Sequence, residues 1–266
     1  MTGRTMTKIV AISNHKGGVG KTTTCFNLGA ALVGSGLNVL LIDMDPQANL
    51  TLAAGMDPED LDLTIVDLYR KQDPVLITKL IHDTSYPGLY IIPADLRLAQ
   101  VEKEFYDLED YESILLHEVG SLQDQYDYVL IDCPPTIGGL TLVSLTTANV
   151  VLVPVQCEYY AARGLNVLVQ VIETVKERTN PGLEWYLLTS LFDSRNNVHK
   201  QVYNQLVQSF PEQLLATVIR MDTRLRECPL VGEPVIKYAP KTRASEQFRE
   251  LARELHERLS IKNNVQ

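Results

Sequence analysis

The sequence is poor in the features that would commit it to a membrane, an oxidising compartment or a zinc site. No apolar run approaches the roughly 18 residues that cross a bilayer as a helix, and the N-terminus lacks the apolar core and small-residue cleavage site of a secretory leader. A cytoplasmic protein is therefore expected. The four cysteines, Cys25, Cys133, Cys157 and Cys228, form no C-x-x-C pair, which argues for buried reduced thiols. Repeats, low-complexity tracts and Pro/Gly-rich linkers are also missing, so the 266 residues are expected to form one domain, with 1–7 and 261–266 as flexible ends. The chain has no overall basic excess, its net charge being −9, but its charge is uneven. Residues 57–127 hold 17 acidic and 5 basic side chains, whereas residues 190–249 hold 9 basic and 6 acidic ones.

What is present is an α/β pattern. Lys8 to Ser13 is a short β-branched run, followed by a glycine-rich loop and then by helical spacing through Phe26, Leu28, Ala31 and Leu32. Gly34 and Gly36 stop that helix, and Asn38 to Asp43 is a continuous apolar run of the kind buried on both faces of a parallel sheet. Similar runs recur at 89–92, 126–131, 150–155, 185–191 and 217–219, and Phe248, Leu251, Ala252, Leu255 and Leu259 mark a last amphipathic helix. The expected fold is a mostly parallel twisted sheet with helices on both faces.

The loop between the first strand and helix, Asn14-His15-Lys16-Gly17-Gly18-Val19-Gly20-Lys21-Thr22, has the form of a phosphate-binding P-loop with two departures: His15 stands at the first glycine position, and Lys16 is a second lysine. Backbone N–H groups of residues 17–21 can curl around a phosphate while the helix dipole adds positive potential. Lys21 would reach the β and γ oxygens, and the Thr22 hydroxyl would ligate Mg²⁺. A second carboxylate is needed at the end of a neighbouring strand, and Asp132 closes the run Tyr126 to Ile131; the same residue would also serve as a helix N-cap. Cys133-Pro134-Pro135 and Gly138-Gly139 follow it, a rigid segment leading into a flexible one, as suits a loop that senses the γ-phosphate. Asp43 and Asp45 lie at alternate positions after the second run. Either they divide the ordering of Mg²⁺ waters and the orientation of an attacking water between them, or they are two solvated carboxylates of a surface turn.

Four segments together, His15 to Thr24, Asp43-Met44-Asp45-Pro46-Gln47, Asp132-Cys133-Pro134-Pro135 and Val153 to Ala161, resemble the ParA/Soj family of partition ATPases, in the deviant Walker A class that also contains MinD. The resemblance runs from about Lys8 to about Leu259. It implies ATP and Mg²⁺ as cofactors, with residues 16–23 (Lys16, Gly17, Gly18, Val19, Gly20, Lys21, Thr22 and Thr23) around the nucleotide. It implies that Lys16 reaches across an ATP-bound homodimer to the phosphates held by the other subunit, that Asp45 is the catalytic aspartate, and that Asp43 supports the metal beside Thr22 and Asp132. A triphosphate carries roughly three to four negative charges, so a cation brought to it in a dry interface acts far more strongly than in water.

The resemblance further implies nonspecific DNA binding at the nucleoid through C-terminal basic residues, carried over here to Arg195 and Arg224. Arg220 is the third candidate, in a segment, Val218 to Asp222, that departs from the family's Ile-Pro-Arg-Asn. A ParB-like or other cargo adaptor that stimulates weak hydrolysis is implied in the same way, for a plasmid, a chromosome region or a protein compartment such as a carboxysome. Two other functions share the loop. A MinD-like membrane-associated division regulator would need an amphipathic tail, where Ser260 to Gln266 is short and polar; a nitrogenase-like iron protein would need cluster cysteines that have no evident partners here.

Overall fold

The computed structural model describes residues 6–70, 75–105, 110–159 and 161–261. Residues 1–5 and 262–266, most of the expected flexible ends, lie outside the described residues, as does Tyr160 of the fourth family-like segment. Thr7 belongs to the folded core instead of a loose end: it is 6% exposed, and its hydroxyl donates to the carbonyls of Gln123 and Tyr126 at 2.6 Å each.

The chain runs β1 (Lys8–Ile12), α1 (Lys21–Gly34), β2 (Val39–Asp43), α2 (Asn49–Ala53), β3 (His82–Asp83), β4 (Leu89–Ile92), α3 (Leu98–Glu104), α4 (Tyr111–Gly120), β5 (Tyr128–Asp132) and α5 (Gly139–Thr147). It continues through β6 (Val150–Gln156), α6 (Ala161–Arg178), β7 (Glu184–Phe192), α7 (Asn197–Ser209), β8 (Leu214–Arg220), α8 (Arg224–Val231), α9 (Val235–Tyr238) and α10 (Arg243–Ile261). The eight strands form one sheet in the order β3-β4-β2-β5-β1-β6-β7-β8, parallel except for β3. Two-residue β3 and the short helical turns between Pro58 and Leu80 have too few residues to show a period and are not legible in the sequence.

Alternation along the central strands explains why they are apolar throughout. Ile9, Ala11, Leu40, Ile42, Val129 and Ile131 enter a core with Leu140 and Val143 of α5 and Leu165, Leu168 and Ile172 of α6. Val10, Ile12, Leu41 and Leu130 enter the opposite core with Phe26, Leu28 and Leu32 of α1 and Phe248, Leu251 and Leu255 of α10. Each fully buried leucine contributes about 1.5–3 kcal/mol by removal from water. Strand β8 is an edge, and α10 covers it: Glu254 accepts the N–H groups of Ala216 and Thr217 at 2.7 and 2.9 Å. The chain crosses from one side of β1 to the other, via β2 and then β6, so a crevice opens at the carboxyl ends of the central strands.

Candidate nucleotide-binding site

The loop after β1 is tied down by the strands beside it. Asn14 Nδ2 donates to the Pro154 carbonyl at 2.7 Å and its Oδ1 accepts the Lys16 N–H at 3.0 Å, while Ser190 Oγ donates to the Val19 carbonyl at 2.8 Å. His15, at the position of the missing glycine, packs its ring against Gly164 of α6, where an added Cβ would lie 2.7 Å from Cε1. Gly18 and Gly20 have φ of +75° and +89°, the left-handed region that a side chain disfavours. A Cβ at Gly17, Gly18 or Gly20 would meet nothing within 4 Å, because all three face the open cleft. Helix α1 starts there without a side-chain cap and without an acidic residue in its first turn, so the first amides are left for an external anion.

Lys21 is buried, and its ammonium lies 3.5 Å from the Lys16 carbonyl. Burial lowers its pKa, against the opposing pull of Asp132, Cys133 and Asp45. Thr22 Oγ1 donates to Asp132 Oδ2 at 2.6 Å, whereas the other oxygen, Oδ1, is buried with no hydrogen-bond partner. Burial and the neighbouring Asp43 charge push the Asp132 carboxyl well above the usual range. A buried, orphaned carboxylate oxygen whose partner oxygen is held by Thr22, a residue that lines the cleft, fits Mg²⁺, which takes one or two protein oxygens and completes its shell with phosphate and water. No group of three His, Cys, Asp or Glu side chains able to cage a metal occurs among the described residues.

Asp43 and Asp45 are 0% and 6% exposed, which removes the solvated-turn alternative. Asp43 is fully engaged: Oδ2 accepts from the Thr51 N–H and hydroxyl at 2.9 and 2.8 Å, and Oδ1 accepts the Asp45 N–H at 3.1 Å. Desolvation still pushes it up to about 6. Asp45 accepts the Gln47 N–H at 2.9 Å and lines the cleft.

That cleft, of about 650 Å³, extends from the loop to the ends of β7 and β8, where Leu191, Arg195, Asp222 and Arg226 line it. Leu191 has φ of +51°, at a register irregularity between Thr189 and Phe192, and a leucine in this region costs about 1–2 kcal/mol. Arg195 lies in the turn after β7, Arg224 is the first residue of α8 after β8, and Arg220 ends β8 opposite Phe192. Of the three, Arg195 lines the cleft, and Arg220 and Arg224 lie at the carboxyl end of the neighbouring strand β8. Arg195 donates to both oxygens of Asp193 at 3.0 and 2.9 Å, and Arg224 donates to Asp222 at 3.3 Å, so two of them are part-neutralised from within their own turns.

Lys16 goes elsewhere. It does not line the cleft; its ammonium forms an ion pair with Glu158, after β6, and the two side chains are 40% and 44% exposed. Glu158 sits within the segment Val153 to Ala161 with no role legible from sequence, and neither Thr51 nor the strained Leu191 carries a sequence signal.

The chain is similar to known proteins over nearly its whole length. Residues 7–185 match a family model described as an AAA domain. The chain is 40% identical over 255 residues to the chromosome partitioning protein ParA of Myxococcus xanthus, covering 96% of this chain and 89% of that one. It is 40% identical over 252 residues to the sporulation initiation inhibitor protein Soj of Bacillus subtilis, covering 94% and 98%. Among solved structures, cobyrinic acid a,c-diamide synthase of Mycobacterium smegmatis with bound ADP and magnesium superposes with a TM-score of 0.84 at 33% identity, over 96% of each chain.

Proposed function

The chain belongs to the ParA/Soj family of partition ATPases, and from that premise we propose that it is a nucleotide switch in which ATP joins two copies, the dimer holds DNA without sequence preference, and hydrolysis releases it. It is an ATP hydrolase that uses ATP and Mg²⁺. In the proposed arrangement the amides of residues 17–23 receive the phosphates, Lys21 neutralises the β and γ oxygens, and Thr22 and Asp132 hold the metal. When bound, Mg²⁺ offsets the charge that builds on the transferred phosphoryl group. Asp43, its oxygens taken by Thr51 and Asp45, supports from behind, and Asp45 orients the attacking water. The whole chain acts as one domain in the cytoplasm, on the nucleoid, and a ParB-like or other adaptor quickens its slow hydrolysis to position a plasmid, a chromosome region or a protein compartment.

The observation that carries the dimer is the divergence of the two lysines. Lys21 is turned into the nucleotide cleft, while Lys16, from the same loop, is outside it on an exposed ion pair from which it can be drawn to a second subunit's phosphates. Arg195, Arg220 and Arg224, at the carboxyl ends of the paired strands β7 and β8, support the DNA surface. The membrane reading gains nothing from α10, because the apolar face of this helix is spent on the core, with Phe248, Leu251 and Leu255 at 0% exposure. Retention of unrelated DNA fragments with ATP, a nonhydrolysable analogue or ADP tests the function. Retention with the first two, absent with ADP and weakened steeply by salt, is expected. Equal retention with ADP, or capture by anionic vesicles in place of DNA, would overturn it.

A further inference from the structure

The loop that leaves Asp132 is held by a residue far from it in sequence. Residues 133–138 join β5 to α5, and the N-cap of α5, Gly138, offers no side-chain acceptor. The acceptor comes from α3 instead: the Leu140 N–H donates to Glu102 Oε1 at 3.2 Å. That is the bond an N-cap serine or aspartate would supply from within the chain, and the carboxylate also meets the positive end of the helix.

The fit around this contact is tight. A Cβ at Gly138 would lie 2.3 Å from Glu102 Oε1, and one at Gly139 would lie 2.7 Å from Phe105 Cδ2. Gly138 has φ of −132°, open to any residue, so glycine serves here for room and not for conformation. Phe105 is fixed in turn, stacked on Tyr111 at 4.7 Å between centroids and tilted against Tyr69 at 5.2 Å. The loop is closed on itself by Thr141 Oγ1, which donates to the Thr136 carbonyl at 2.6 Å, and Pro134 and Pro135 restrict its remaining freedom. The start of α5 is therefore clamped from the acidic region, while the other end of the loop leaves β5 at Asp132 and its Pro135 lines the cleft.

We propose that Glu102 is a positioning residue for hydrolysis: it supplies the missing cap of α5 and thereby fixes the loop that follows Asp132 and lines the nucleotide cleft at Pro135. The proposal rests on Asp132 as the metal-facing carboxylate. It predicts that a change on the α3 face alters turnover without touching the nucleotide, so this face is where a regulator would gain purchase on the site.

The test uses the full chain as Glu102→Ala, Glu102→Gln, Gly138→Ala and the Glu102→Ala, Gly138→Ala double variant. Amide exchange at Leu140 is read in the nucleotide-free protein, and kcat and KM for ATP are read with Mg²⁺. Glu102→Ala is expected to speed Leu140 exchange about tenfold, the effect of a lost cap, and to lower kcat with KM unchanged. Glu102→Gln, which keeps an acceptor oxygen, returns both toward wild type. Gly138→Ala reproduces Glu102→Ala, and the double variant is little worse than either single one. Wild-type exchange and kcat in Glu102→Ala, a Gln variant no better than Ala, or fully additive effects would each overturn the proposal. If Gly138→Ala does not fold, the Ala and Gln pair still decides. Undiminished hydrolysis in Asp132→Asn would instead remove the metal assignment, while Leu140 exchange would still report on the cap.

Discussion

At the β1, β2 and β5 end of the cleft, Asp43, Asp132 and Lys21 are at most 7% exposed, whereas at the β7 and β8 end the side chains of Arg195 and Arg224 are 89% and 49% exposed, each paired with an aspartate two residues before it. The inner charges are expensive to keep without a counter-ion, and their positions are set by strand ends and backbone amides. The outer charges cost little, because water and a neighbouring aspartate already satisfy them, and such exposed pairs contribute about 0–1 kcal/mol. The inner end should therefore respond to substitution by large losses of chemistry, and the outer end by modest, salt-dependent losses of binding.

The sharpest way to break that contrast is at the inner end. Lys21→Ala or Asp132→Asn is expected to lower the initial rate of Mg²⁺-dependent ATP hydrolysis by about 10²–10³-fold, the usual effect of removing one preorganised charge. A loss no larger than that from an outer arginine would dissolve the distinction.

Next in size is a pH effect confined to the inner carboxylates. Asp43 is pushed up to about 6 by burial and Asp132 well above the usual range, while carboxylates of the unfolded chain titrate near 4. Between about pH 4 and 6 the metal-free native state binds more protons than the unfolded one, so its stability falls as pH rises through that window. Thermal melts of metal-free protein should show Tm rising from pH 7 to pH 5, and, with Asp132 as the proposed metal ligand, the added stabilisation by Mg²⁺ and ADP should shrink over the same interval, because a carboxylate ligand must be ionised. A metal-free Tm that falls over that interval would contradict this origin.

At the outer end Arg224→Ala should weaken DNA retention and reduce the slope of log K against log salt by about 0.9, with nucleotide affinity unchanged. An unchanged slope would take Arg224 off the DNA surface. The smallest effect belongs to Lys16 and Glu158. An exposed pair of this kind is worth about 0.2–1 kcal/mol, so Glu158→Gln should lower the ATP concentration for half-maximal dimerisation by roughly 1.4- to 5-fold. A higher requirement would mean that Glu158 assists the dimer and does not restrain Lys16.

The same contrast governs what could be read in the sequence. The loop, Asp43, Asp45 and Asp132 were legible because strand ends and glycine spacing place them by local rules, and Leu89–Ile92 was bounded correctly because its run is short and apolar. The observed β8 begins at Leu214, ahead of the expected 217–219, because its exposed positions interrupt the apolar run while Glu254 of α10 satisfies its amides. Glu158, Thr51 and Glu102 act across 142, 8 and 38 residues of chain, and no local period encodes such contacts. Arg195, Arg220 and Arg224 were named through the family resemblance and the basic stretch around them, whereas their placement at neighbouring strand ends depends on the adjacency of β7 and β8.

The central claim is that one loop serves two subunits, Lys21 its own nucleotide and Lys16 that of a partner. Light scattering of wild type and Lys16→Gln in Mg²⁺ and ATP tests it most directly. The wild type is expected at the mass of two chains and Lys16→Gln at that of one chain, with ATP still bound by the variant. A Lys16→Gln protein that pairs as readily as the wild type would contradict it.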